Sequence, residues 1–337
     1  MTSPSVSVVI PVFNAADTLL AALSSVATQT FGDFECLVVD DGSADESLSV
    51  AREFAEQNRR FVVHARDHAG IVPTLEFALA QARGEYVARF DADDLMVASR
   101  LERQRSALED DEALAGVGCH VRLFPSESLT DGRRAYEAWL NSLTTSVAIH
   151  RDRYVECPLA HPTFFVRREL FRRFPYRDEV WPEDYDWVLR VLESGLALGT
   201  VAAPLLEWRD APSRLSRTCD RYGVDRFVTC KAHFLANHWL RSTDRYVLWG
   251  YGDTGRSLAR ALAKFGKVPS AILERHPRRI GQTILGVKVM APEDAMNGMT
   301  RETKIVVSVA GAKPREEVRR VARELGLEEG KQYLCAA

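Results

Sequence analysis

The chain has 337 residues with 44 basic and 47 acidic side chains, a formal charge of −3, and 46% hydrophobic residues. At about 150 residues per domain this length implies roughly two domains, each able to bury a core. The apolar content excludes a disordered chain, and 20 Gly with 14 Pro exclude fibrous and low-complexity types.

The longest uncharged stretch, residues 1–16, is interrupted by Pro4, Pro11 and Asn14, so no spanning helix of roughly 20 apolar residues is expected. The first basic residue is Arg52, which removes the charged start of a targeting peptide. The six cysteines, at 36, 119, 157, 219, 230 and 335, have neither metal-site spacing nor a disulfide framework. A cytoplasmic location is expected, with any membrane association peripheral at the inner face.

The charge is unevenly divided. Residues 1–243 hold 27 basic and 36 acidic residues, net −9, and residues 244–337 hold 17 and 11, net +6. Only Lys231 precedes position 244, and six lysines follow it. The basic residues are interspersed with acidic ones, without an aromatic-interleaved patch, which argues against nucleic acid and for a domain boundary near 243.

Residues 6–12 (VSVVIPV) read as a buried strand, and residues 18–28 are apolar at helical spacing. Phe34–Asp40 is a second strand, stopped by Gly42-Ser43, with Ser43 or Asp45 capping a helix through Gln57. Phe61–Arg66 is a third strand, followed by a helix over Ile71–Arg83 that Gly84 ends. Glu85–Asp91 is a fourth, followed by a helix over Ser99–Asp110. Such alternation implies a parallel sheet whose ligands sit at the carboxyl ends of the strands.

Two of those strand ends carry acid clusters, Asp40-Asp41 and Asp91-Ala92-Asp93-Asp94. Either could merely cap the next helix. Five carboxylates at one edge repel each other, and a divalent cation holding a diphosphate is the natural partner, because hard cations prefer oxygen and bridge phosphates. Alternation places Asp91 and Asp93 on one side of an extended segment.

The constellation is more specific than its parts. Pro11-Val12-Phe13-Asn14, Val39-Asp40-Asp41-Gly42-Ser43 and Gly84-Glu85-Tyr86 leading into Asp91-Ala92-Asp93-Asp94 occur in order. They are followed by Arg100-Leu101-Glu102-Arg103-Gln104, His161-Pro162-Thr163, Glu183-Asp184-Tyr185-Asp186 and Trp208-Arg209-Asp210. Over about residues 4–220 the chain thus resembles the family 2 glycosyltransferases, which have the GT-A fold. The resemblance implies a nucleotide diphosphate sugar donor, UDP or dTDP being favoured, a glycan or lipid-linked acceptor, and a setting in bacterial cell-surface polysaccharide assembly. It also implies that Pro11, Phe13, Asn14 and Asp41 line the base and ribose, with Asp40 beside them. Asp93 would bind Mn²⁺ or Mg²⁺ on the diphosphate, Asp91 would support ribose and metal, and Asp184 would be the general base of an inverting displacement.

Glu183-Asp184 begins an amphipathic helix, where acids ordinarily act as caps and dipole partners; Glu183 is the alternative base. His161 is either an acceptor-side residue or an ordinary structural histidine. Arg209 could neutralise diphosphate charge from a mobile loop or simply be solvated. One departure from the family pattern is Pro73 with Glu76, where Glu76 could add charge near the donor.

Residues 221–243 read as a helical linker and residues 244–337 as a second domain. There the strand Tyr246–Trp249 runs into Gly250-Tyr251-Gly252-Asp253-Thr254-Gly255, then a helix over Arg256–Phe265 and a strand over Pro269–Leu273 ending at Glu274. Further strands are expected near 286–290 and 304–310. GxGxxG in this setting, with an acid about 20 residues on, is the dinucleotide-binding pattern. Gly250, Gly252 and Gly255 would admit a phosphate, and Glu274 would hold a ribose hydroxyl. The segment resembles Rossmann-like domains appended to some bacterial glycosyltransferases. Three roles stay open for it: an NAD(P)-dependent sugar-nucleotide oxidoreductase, a nucleotide-binding module without catalysis, and a structural or homo-oligomer-forming part. The expected fold is α/β, a GT-A nucleotide-diphospho-sugar transferase domain over 1–220 followed by a small Rossmann-like parallel α/β domain.

Overall fold

The β-branched run at the start of the chain does become a fully paired central strand. In the computed structural model, which describes residues 3–212, 214–295, 299–300 and 302–337, strand β1 (Val6–Val12) lies between two parallel neighbours. These are β2 (Phe34–Asp40) and β4 (Tyr86–Arg89), with β3 (Phe61–Ala65) beyond β2. Val6, Val8, Ile10 and Val12 face one core with Leu19, Leu23 and Val26 of the helix Ala16–Ala27. Buried on both faces, such a strand reads as a continuous apolar run, which is why its sequence identified it.

The chain divides into two compact units. The first comprises the chain up to His150, Leu159–Glu179 and Asp186–Arg214. Its sheet has eight strands in the order β3-β2-β1-β4-β7-β6-β8-β5, adding β5 (Leu95–Met96), β6 (Leu114–Phe124), β7 (Phe165–Arg167) and β8 (Ala197–Arg209). Strand β7 is antiparallel to β4 and β6, β6 runs parallel to β8, and β5 is antiparallel to β8.

Register brings the acid clusters to one edge. Val12 pairs with Asp40 across β1 and β2, and Val9 with Arg89 across β1 and β4. The segments Phe13-Asn14, Asp40-Asp41 and Asp91–Asp94 therefore leave the sheet side by side. Pairing of Leu95 with Glu207 carries the end of β8, and Arg209, to the same place.

Two local expectations are corrected. Gly84 is not a left-handed helix cap. The helix Ile71–Gln81 ends in an extended Ala82, and Gly84 is needed because a Cβ there would lie 2.5 Å from the Ser7 nitrogen. Its own N–H donates to Ser7 Oγ at 2.8 Å, and Ser7 in turn donates to the buried Glu35. Nor do Ser43 or Asp45 cap the second helix conventionally. That helix, Ser47–Gln57, has Glu46 at its cap without a side-chain bond, while Asp45 accepts from Ser47 N through Oδ1 at 3.0 Å and from Ala16 N through Oδ2 at 3.0 Å, so it serves the starts of both helices.

The second unit comprises Arg151–Pro158, Val180–Tyr185 and Leu215–Ala337. It is an α/β unit with six strands in the order β11-β12-β10-β9-β13-β14. These are β9 (Arg245–Trp249), β10 (Val268–Leu273), β11 (Thr283–Ile284), β12 (Val287–Met290), β13 (Ile305–Val307) and β14 (Tyr333–Cys335). All pairs are parallel except β11 with β12. Arg319 joins the short segment 151–158 to the C-terminal part: it pairs with Asp152 and donates to Glu329 at 2.9 Å. Among the described residues no helix is long and apolar enough to cross a membrane.

Candidate active site

The turn after β4 brings three carboxylates together. Oxygens of Asp91, Asp93 and Asp94 lie within 4.8 Å of one another. Asp94 is 1% exposed, accepts from Arg209 N at 2.8 Å through Oδ1, and has no hydrogen-bond partner for Oδ2 among the described residues. Burial first, then the charges of Asp91 and Asp93, push the Asp94 carboxyl well above its usual range. Burial and Asp91 raise Asp93 in the same direction. Burial is the larger cause of both shifts, and the neighbouring carboxylates add to it. Clustered carboxylate oxygens suit a hard divalent cation, so the cluster could hold Mn²⁺ or Mg²⁺.

Three arginines frame the cluster. Arg89, at the end of β4, pairs with Asp91. Arg209 donates through Nε to the Asp93 carbonyl at 2.7 Å, with its guanidinium 4.5 Å from the Phe124 ring centroid. Arg214 lies over the Trp208 ring and donates to the Arg209 carbonyl at 2.8 Å. Arg209 is thus the last residue of a thirteen-residue strand rather than part of a mobile loop.

A second group forms where β1 and β2 end. Phe13, 48% exposed, stacks on the His68 ring with centroids 4.3 Å apart. His68 Nδ1 is 2.9 Å from Asp41 Oδ2. The Asp41 carboxylate also accepts from Ala69 N at 3.0 Å, Gly70 N at 2.9 Å and Thr74 Oγ1 at 2.8 Å. Asp41 therefore orders the loop that carries His68. Asn14, with φ of 49°, accepts from Ala44 N at 2.8 Å and takes Ser43 Oγ on its own N–H. Asp40 accepts from Ser43 N, leaving Oδ1 buried without a partner among the described residues. Pro11 is the half-buried residue of β1 opposite Val39.

The structure separates the two base candidates. Glu183 is 1% exposed and accepts from Tyr222 Oη at 2.8 Å. Asp184 is partly exposed, and its Oδ1 accepts from Tyr185 N at 2.7 Å. Of the two carboxylates, only that of Asp184 reaches solvent to any extent. His161 lies in the core of the first unit, 7% exposed, with Nε2 2.7 Å from Tyr176 Oη. Burial, then Arg89, hold its imidazole well below its ordinary range. Glu76 accepts from Tyr176 N at 2.7 Å, so its carboxylate supports the chain at Tyr176.

In the second unit the glycines of the turn have distinct duties. Gly250 takes φ of 94°, and a Cβ on Gly255 would lie 2.4 Å from the Gly250 carbonyl oxygen. Gly252 has open space and caps the helix Asp253–Ala263. Glu274 follows β10 and lies 3.4 Å from Arg279 Nη1, which also donates to the Tyr251 carbonyl at 2.8 Å.

His68, Arg89 and Arg214 are members that sequence reasoning missed. Arg89 alone left a signal, since it stands two positions before Asp91 on the same side of an extended segment.

The parallel-rich mixed sheet of this order is that of the GT-A fold, here followed by a second α/β domain. Solved structures agree. TarS 1-349 of S. aureus in complex with UDP-GlcNAc superposes with a TM-score of 0.54 at 17% identity, over 77% of this chain and 71% of that one. The mannosyltransferase PcManGT of Pyrobaculum calidifontis, in complex with GDP-Man and Mn²⁺, gives 0.51 at 21% identity over 79% and 70%.

Residues 7–174 match the family model of glycosyl transferase family 2, so this part of the chain is a domain of that family and the protein a glycosyltransferase in class. The putative glycosyltransferase EpsE of Bacillus subtilis is 26% identical over 231 residues, covering 67% of this chain and 80% of that protein. The bifunctional glycosyltransferase pgtA of Dictyostelium discoideum is 24% identical over 264 residues, covering 64% of this chain and 34% of that protein.

Proposed function

We propose that the chain is a metal-dependent, inverting glycosyltransferase of the hexosyltransferase type, using a nucleoside diphosphate sugar and a hydroxyl of a glycan or lipid-linked acceptor. The observation that carries this reading is the Asp91, Asp93 and Asp94 cluster at the sheet edge beside Phe13, within the segment that matches the family. Phe13 offers the base a flat apolar face. Asp91 and Asp93 would hold the cation, which when bound supplies Lewis-acid stabilisation of charge on the diphosphate. Arg209 and Arg214 add positive charge beside them.

In the transfer the acceptor oxygen forms its bond to the anomeric carbon as the bond from that carbon to the phosphate oxygen breaks on the opposite face. The electron pair leaves with the nucleoside diphosphate, and the acceptor proton passes to Asp184. A positioned base of this kind contributes roughly 10²–10⁴-fold. The UDP-GlcNAc and GDP-Man of the similar structures support a nucleotide sugar as donor, and UDP or dTDP is our choice of carrier. The test is nucleoside diphosphate release with a panel of donors and acceptors. Asp93→Asn and Asp184→Asn should each abolish turnover, and unchanged turnover in either would refute its assigned role.

A second reading concerns the C-terminal unit. Counted from β9, its parallel strands stand in the order 3-2-1-4-5, that of doubly wound dinucleotide folds, and this supports a Rossmann-like domain binding NAD(P) or another nucleotide. The turn at Gly250, Gly252 and Gly255, with Glu274, is where it would bind. Under the oxidoreductase alternative, Asp93→Asn would leave activity intact.

A further inference from the structure

Asp184 lies between two residues that are held from outside their own helix. Glu183 is enclosed and accepts from Tyr222 Oη through Oε1 and Oε2, both at 2.8 Å. Tyr185 is 0% exposed, donates from its hydroxyl to the Arg153 carbonyl at 2.8 Å, and packs its ring 5.7 Å from that of Phe227. All of these residues belong to the second unit, which takes in Val180–Tyr185. The rest of the helix Glu183–Glu193 belongs to the first.

We infer that Tyr222 is a positioning residue for the transfer: its hydroxyl fixes Glu183, and through Glu183 it sets the first helical turn that carries Asp184. The inference rests on Asp184 being the general base. Three further observations support it.

A carboxylate as enclosed as Glu183 needs a donor, because removing it from water without one is costly. Tyr222 Oη meets both of its oxygens at hydrogen-bond length, whereas Arg221 Nη1 stands at 3.9 Å from Oε2 and so adds charge more than a bond. Burial, then the charges of Glu183 and Asp184, push the Tyr222 phenol well above its ordinary range, so it keeps the proton it donates.

The turn is short, and Asp184 Oδ1 is tied to the next backbone N–H at 2.7 Å. A shift of the turn's backbone would therefore carry the Asp184 carboxylate with it. A shift of about 1 Å in a catalytic group can cost on the order of 100-fold in rate.

Tyr222, which lies outside the helix Glu183–Glu193, thereby supplies the hydroxyl that sets the base.

The test is a double-mutant cycle of Tyr222→Phe and Glu183→Gln in the full chain, with Asp184→Asn alongside, read by nucleoside diphosphate release. Loss of a hydrogen bond to a charged group predicts a fall in kcat of roughly ten- to hundredfold for Tyr222→Phe. The donor KM and the donor-induced rise in melting temperature should stay at their native values. The double variant should be no slower than the slower single one, since residues acting through one contact are not additive.

A native kcat in Tyr222→Phe, with Asp184→Asn inactive, overturns the inference and leaves the base assignment standing. Activity in Asp184→Asn overturns the base assignment and the inference with it. Should Tyr222→Phe lose kcat and donor-induced stabilisation together, the tyrosine is merely structural and the inference is also overturned.

Discussion

Phe13 and His68 stack with ring centroids 4.3 Å apart and an interplanar angle of 26°. The pair joins the end of β1 to the loop after β3, and Asp41 holds that loop by Ala69 N, Gly70 N and Thr74 Oγ1. In the proposed function this exposed aromatic face receives the nucleotide base.

Phe13→Ala should therefore weaken nucleoside diphosphate binding by roughly 1–3 kcal/mol, the worth of one base on an aromatic ring. Calorimetric titration reads the affinity. The melting temperature of the free protein should hardly change, because Phe13 is half exposed.

Acid should destabilise the first unit through His161. Burial holds its folded pKa well below the ordinary value, so the unfolded chain binds the proton first. Stability is then fully present above about pH 6.5 and falls as pH drops from there toward the folded pKa, by up to about 1.4 kcal/mol per pH unit. In His161→Phe that part of the slope should vanish, as urea midpoints between pH 7 and pH 5 would reveal.

Within the second unit, Arg319 compensates the Asp152 carboxylate, whose side chain is 4% exposed. Arg319→Met leaves that charge enclosed and should cost about 3–5 kcal/mol. Chemical denaturation of the purified variant measures it, and a loss under 1 kcal/mol would show that Arg151 suffices for Asp152.

Legibility followed burial and locality. Strands β1 to β4 stand out because their apolar runs are continuous and end at turn residues, and the acid clusters mark where they stop. Strands β6 and β8 did not, since LAGVGCHVRLF and ALGTVAAPLLEWR mix glycine, alanine and charge without strict alternation. Arg209 could be named as a phosphate candidate, but its place beside Asp93 depends on the pairing of β5 with β8, which no local pattern encodes. His68 was missed because a lone histidine in a loop carries no periodic signal. Tyr222 was missed because its partner lies 39 positions earlier in the chain. The glycine turn at 250–255 was readable, and contacts of Gly250 and Gly255 explain two of its three glycines sterically.

In the proposed function the acid edge of the first unit holds a cation with a nucleotide. The most direct measurement is the melting temperature of the native protein and of Asp93→Asn with UDP, dTDP and GDP, each with and without Mn²⁺. Stabilisation grows with the ratio of ligand to its dissociation constant, about 2.7 kcal/mol at a hundredfold excess. A clear nucleotide shift that requires Mn²⁺ in the native protein and is absent in Asp93→Asn is the predicted result. No shift with any nucleotide, or one that survives both Mn²⁺ removal and Asp93→Asn, would contradict it.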